Sequence, residues 1–254
     1  MKEFIIDSLF CTVIAAIVFG LSKLLRCKAT DSGISQPRRS AIHAVIAVGI
    51  SMSILFLLML PQILTAKPPA STHKPHHPFA LAPQIFLLAL YAVPAGIFMF
   101  RDRENLRSVG ISRVNFWQAA VIGVVLTAFT FYDEFRQGWH VSELSCSTQA
   151  IALVFYSFVG FGEEFLFRGY LQTRLVAWLG TARGLLSASF FMAFFHFPGR
   201  LLQGMGFLDS FVSCTHLVPV SLLMGFVMLQ TGNLLAPGIH HTFMNWVRVI
   251  SGNT

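Results

Sequence analysis

Apolar positions in this chain come in long blocks, separated by short stretches that are basic or rich in Pro and Gly. A helix needs roughly 20 apolar residues to cross the hydrocarbon layer, and most of the blocks approach or reach that length. They run from about Phe4 to Leu21, Ala41 to Leu64, Leu81 to Phe100, Phe116 to Tyr132, Arg183 to Phe197, Phe211 to Leu229 and Leu234 to Ile250. A further block begins near Thr148 and continues past Arg168 through Tyr170, Leu171, Leu175 and Leu179 to Gly180, a residue suited to a helix C-cap. The pattern predicts an all-α polytopic transmembrane bundle of about eight helices, with seven as the other count. Pro94 marks a kink in the third helix.

Composition agrees: 55% of residues are hydrophobic and 11% charged, against about 25% charged in an ordinary soluble domain. Mean hydropathy is +0.67. The net charge of +7 arises from basic residues in the loops, which topology explains better than a nucleic-acid partner. Lys23, Arg26, Lys28 and Arg38 place the first loop in the cytoplasm, and the four arginines of Arg101–Arg113 do the same for a second. The first block lacks a small-x-small cleavage pattern and is expected to be an uncleaved anchor with the N-terminus outside. Arg174 and Arg183 assign the loop after the fifth helix to the cytoplasm as well, while Arg200 and Asp209 leave the next one ambiguous. The segment Lys67–Pro78, whose prolines forbid helix, and the net-acidic segment holding Asp133, Glu134, Arg136 and Glu143 are expected outside. The histidines of the first read as part of a solvated linker rather than a metal site. Cys11, Cys27, Cys146 and Cys214 have neither disulfide-framework nor zinc spacing.

Against this background Glu163, Glu164 and Arg168 are conspicuous. Ionisable residues in a span cost about 2.5 to 3.5 kcal/mol each on insertion scales, so they pair, line a cavity or do chemistry. At 100° per residue Glu164 and Arg168 stack one turn apart as an ion pair, while Glu163 points elsewhere and stays free to take a proton. The plainer reading is a buried network bracing helices, or an arginine snorkelling to the surface. Three further polar groups weigh against it. His196 is the one polar side chain of Phe190–Phe197, and His241 and Asn245 share a helix face at i, i+4, with His240 turned toward Met244. A lone histidine is most often a hydrogen-bonded core residue, and a His/Asn pair an interhelix contact, but three such groups on three late spans are better explained by one polar cavity. A carboxylate to deprotonate water, a histidine beside it, and a His/Asn pair for an oxyanion supply what amide hydrolysis needs.

The series Glu163-Glu164-x-x-x-Arg168, His196 after an aromatic-rich span and His241-x-x-x-Asn245 resembles the motifs of the CPBP family, the CAAX proteases and bacteriocin-processing enzymes also called the Abi family. The segment Asn105–Phe116 is similar to the short basic stretch that often precedes that family's core. The resemblance implies residues 1–115 as N-terminal transmembrane helices with cytoplasmic loops and 116–254 as a catalytic transmembrane core. It implies a glutamate-type intramembrane endopeptidase in which Glu163 and His196 activate water, His241 and Asn245 form the oxyanion hole, and Glu164 and Arg168 support them. The second motif usually reads Phe-x-x-x-His and here has Met192, with Phe191 and Phe195 positioned to fill the same space. No cofactor is expected: zinc is conceivable for a Glu/His/His set, but the H-E-x-x-H spacing is absent. The expected substrate is a membrane-associated, lipidated or small secreted peptide, and the expected location is a prokaryotic inner or plasma membrane. The competing classes are a transporter or channel with an intramembrane Glu/Arg/His path, and a non-catalytic immunity or scaffold protein; the two halves show no internal similarity to support the former.

Overall fold

A computed structural model describes residues 2–65, 81–136, 138–139 and 142–252. The segment Lys67–Pro78 and its histidines lie outside the described residues. Among those described, regular structure is entirely helical: α1 (Lys2–Leu24), α2 (Pro37–Thr65), α3 (Leu81–Arg101), α4 (Phe116–Arg136), α5 (Cys146–Glu164), α6 (Thr173–Leu179), α7 (Thr181–Phe195), α8 (Phe197–Leu202), α9 (Phe207–Thr215), α10 (Val218–Thr231) and α11 (Leu235–Ile250). A π-helical stretch, Phe165–Gln172, joins α5 to α6 without a break, and a 3₁₀ turn, Leu106–Val109, precedes α4.

Among the described residues, seven helical segments are long and apolar enough to cross a membrane. They include the continuous Cys146–Leu179, with 34 residues, and two broken passes, Thr181–Leu202 and Phe207–Thr231. The break in the first falls at His196, ahead of Pro198 at the start of α8; that in the second falls before Pro219, where α10 restarts. The eighth predicted helix is α11, whose 16 residues span about 24 Å at 1.5 Å per residue, less than the ~30 Å hydrocarbon layer. It is held within the bundle, packed against α4 and α5.

The outward side chains are those of a lipid-facing surface: Ile97, Phe100 and Trp117 are 61%, 87% and 75% exposed. Between the helices, one apolar core joins α2 and α3 to the π stretch and α7, centred on Phe167, Tyr170 and Phe195. A second joins α1, α4 and α10 around Val18, Ile122 and Val227.

Four contacts bring the ends of α1, α3, α6 and α10 to one side of the bundle. Asn115 accepts from the Lys28 amide at 2.9 Å and donates to the carbonyls of Lys28 and Thr231 at 2.8 and 2.7 Å. The Leu234 amide donates to Gly110 at 3.0 Å. Asp102 takes Arg39 at 3.2 Å and His43 at 2.6 Å, and Glu104 pairs with Arg174. The last contact corrects the sequence reading. Arg174 is not a solvated loop charge but fully buried, because five residues of helix still separate it from Gly180 and its guanidinium meets Glu104 and the Ser108 hydroxyl and carbonyl there. It thus says nothing about which side of the membrane that turn occupies. At the other side, the Ser142 amide donates to Ile250 at 3.1 Å and the Ser251 hydroxyl to Glu134 at 2.7 Å.

Close approach of α5 to α11 depends on Gly160. A Cβ there would lie 2.8 Å from the Thr242 backbone nitrogen and 2.7 Å from its hydroxyl, separations that real side chains do not tolerate. Overpacking of this kind costs about 1–3 kcal/mol. Gly160→Ala is therefore expected to lower the melting temperature of the detergent-solubilised protein by several degrees, measured by thermal denaturation against the parent; an unchanged melting curve would show that the two helices separate without cost.

Candidate active site

Glu163 and His196 occupy similar levels on the two arms of a hairpin turned at Gly180. Glu163 lies 17 residues before that glycine and His196 16 after it. From the sequence their meeting requires tilt or a deep cavity, since one falls mid-helix and the other near a helix end. Counting from the shared turn removes the mismatch. α11 brings His241 to the same place from the far side of α5.

Glu163 Oε2 lies 3.8 Å from His196 Nε2 and 3.9 Å from His241 Nε2. It is buried and has no hydrogen-bond partner among the described residues. The separations exceed a direct hydrogen bond but suit a water shared between the groups. Both rings have their other nitrogen committed. His196 Nδ1 is 3.0 Å from the Met192 carbonyl, an acceptor only, so Nδ1 donates and Nε2 faces Glu163. His241 Nδ1 is 2.9 Å from Glu164 Oε1 and likewise donates to the carboxylate.

Glu164 is fully buried, with Arg168 Nε 3.3 Å from its Oε2. The charges face each other at that distance without an aligned hydrogen bond, and Arg168 Nη2 reaches the Ser221 carbonyl at 3.5 Å. The i, i+4 pairing expected of an α-helix is found although Arg168 sits in the π stretch. That stretch also aims Gln172, four residues on, at the Gly225 carbonyl at 2.9 Å, so two successive turns grip α10. Arg174 closes the far end, donating to the carbonyls of Gly169 and Tyr170 at 3.1 and 3.3 Å. Gly169 is required here because a Cβ would stand 2.7 Å from the Val109 carbonyl oxygen.

Glu163, Glu164, Arg168, His196 and His241 line one cavity of about 950 Å³, which also contains Asn245, half-buried one turn beyond His241, and the buried His240. Met192 is buried at the cavity wall, and of its two aromatic neighbours only Phe195 fills the core, 5.0 Å from the Phe167 ring and 5.8 Å from Tyr91; Phe191 is 37% exposed. Among the described residues no group of three His, Cys, Asp or Glu side chains is gathered so as to hold a metal ion. Sequence reasoning had no access to Arg174, Glu104 and Ser108 as supports of the π stretch. The one available signal was an arginine set inside an apolar run well before its C-cap.

Removing Arg168 strands the Glu164 carboxylate in the bundle, and breaking a buried pair costs about 3–5 kcal/mol. Arg168→Ala is expected to lose most of its folded yield or to melt well below the parent in detergent. Melting at the parental temperature would show that solvent already serves this pair.

No curated protein and no solved structure matches the chain. Residues 146–247, which run from the first turn of α5 into α11 and include Glu163, Glu164, Arg168, His196, His241 and Asn245, match one family model, described as type II CAAX prenyl endopeptidase Rce1-like.

Proposed function

We propose that this integral membrane protein is an intramembrane endopeptidase that hydrolyses a peptide bond with water activated by Glu163. The observation that carries the reading is the unpartnered, buried Glu163 Oε2 standing just beyond hydrogen-bond reach of two histidine nitrogens. The family matched over residues 146–247 is named for peptide-bond hydrolysis next to a prenyl group, and supports the reaction class.

A water between Glu163 Oε2 and His196 Nε2 donates one hydrogen to each. Glu163 takes its proton as the oxygen adds to the scissile carbonyl carbon, and the resulting oxyanion is received by the Asn245 amide and by His241 when its Nε2 carries a proton. The proton on Glu163 then passes to the departing nitrogen as the C–N bond breaks. The water's remaining proton leaves through His196 as the new carboxylate forms. Glu164 and Arg168 act through His241, by holding its Nδ1 proton and hence its orientation. No step requires a Ser or Cys nucleophile or a metal.

Glu163→Gln keeps the shape of the side chain and removes the base. Loss of a general base costs about 10²–10⁴-fold, so the variant is expected to accumulate as folded protein in detergent while cleavage of membrane or lipidated peptides falls by at least two orders of magnitude, read by comparing peptides from cells carrying each form. Full cleavage by Glu163→Gln would sink the proposal. Activity is also expected to survive exhaustive chelation, with no stoichiometric zinc by elemental analysis; zinc that tracks activity would replace Glu163-activated water by metal-bound water.

A further inference from the structure

The cavity is not centred in the bundle. The side of the molecule where α1, α3, α6 and α10 end carries ten of the 18 Lys and Arg residues: three at 23–28, two at 38–39, four between 101 and 113, and Arg183. Arg39 pairs with Asp102 there, and the other acidic residues of these loops are Asp31 and Glu104. The opposite side is poor in basic charge. The sequence connecting α2 to α3 holds two lysines, and that connecting α4 to α5, which follows Arg136, holds only the acidic Glu143 as a charged residue. Basic excess in short loops marks the cytoplasmic face.

The cavity is lined from the other half. On α1 it takes Asp7 to Ile14, on α4 Leu126 to Glu134, and on α10 Val220 to Met224, in each case the half distant from the basic loops. Its rim includes Asp7 and Arg248, both exposed, beside the end of α11 that is tied to Glu134 through Ser251. Glu163, 17 residues from Gly180, stands about 25 Å from the basic face at 1.5 Å per residue, most of the way across a ~30 Å hydrocarbon layer.

We infer that the cavity opens on the non-cytoplasmic side of the membrane, and that the substrates are segments presented there: secreted peptides, or stretches of membrane proteins just outside the bilayer. This rests on the reading of the cavity as a peptide-hydrolase site. It narrows the substrate to polypeptide already delivered across the membrane and excludes cytoplasmic tails.

The chain carries its own reporters of orientation. Cys146 is exposed at the first turn of α5, on the cavity side, and Arg107 is exposed on the basic side. A membrane-impermeant maleimide applied to intact cells expressing the full chain is expected to label Cys146, mapped by mass spectrometry, while Arg107→Cys is labelled only after the cells are opened. The reverse pattern overturns the inference whatever the protein's activity. A second measurement separates it from the hydrolase reading: peptides lost in Glu163→Gln cells are expected to derive from secreted or externally exposed segments. Loss confined to cytoplasmic tails would overturn the inference and leave hydrolysis standing, whereas unchanged peptides together with labelled Cys146 would overturn the hydrolase reading and leave the orientation standing.

Discussion

The structure depends on one contact, the bond from His241 Nδ1 to Glu164. It crosses from α11 to α5 and joins a buried carboxylate that is also held by Arg168. Two carboxylates next to each other in an apolar bundle are expensive, and the cost is met in different ways. Glu164 receives a guanidinium and an imidazole, whereas Glu163 receives a cavity. Everything else that distinguishes this chain from a plain bundle of apolar helices serves that asymmetry.

The π stretch shows how. A helix that must present Glu163 to a cavity, Glu164 and Arg168 to α11 and α10, and Gln172 to the next turn of α10 has to keep three directions of polar contact within ten residues. Widening the helix over Phe165–Gln172 accommodates them, and π geometry recurs at functional sites for this reason. Its loosened carbonyls need partners, which Thr173 and Arg174 supply at Gly169 and Tyr170. Arg174 is anchored in turn by Glu104, so the loop before α4 reaches the helix that carries Glu163 through one buried ion pair.

Much of this was legible from residue order. The apolar blocks located every helix pass, because the period and length of a lipid-facing helix are properties of the local sequence. The spacing of Glu163, Glu164 and Arg168, with His196 and the His241/Asn245 pair, pointed to a single cavity, and the structure brings all six to its walls. What was not legible lay in tertiary geometry. No residue pattern announces i→i+5 hydrogen bonding, so the helix was read as α throughout. Arg174 was read as a loop charge because its partner Glu104 is 70 residues away in sequence. The depth of His196 could not be judged until the turn at Gly180 showed that it and Glu163 are counted from the same point.

The placement of His241 also limits what a neighbouring group can do. With Nδ1 given to Glu164, only Nε2 faces Glu163, so the ring serves the cavity with one nitrogen of defined orientation. His196 reaches the same state by another route, its Nδ1 given to a backbone carbonyl rather than to a charge. The two rings are therefore not equivalent. His241 lies between two carboxylates, while His196 is a third exposed and rests on the Met192 carbonyl. The first ring is fixed by a charged carboxylate and the second by a neutral carbonyl, so the two Nε2 atoms face Glu163 from different surroundings. The difference between the two histidines thus follows from what stands behind each ring, and not from the residue type that they share.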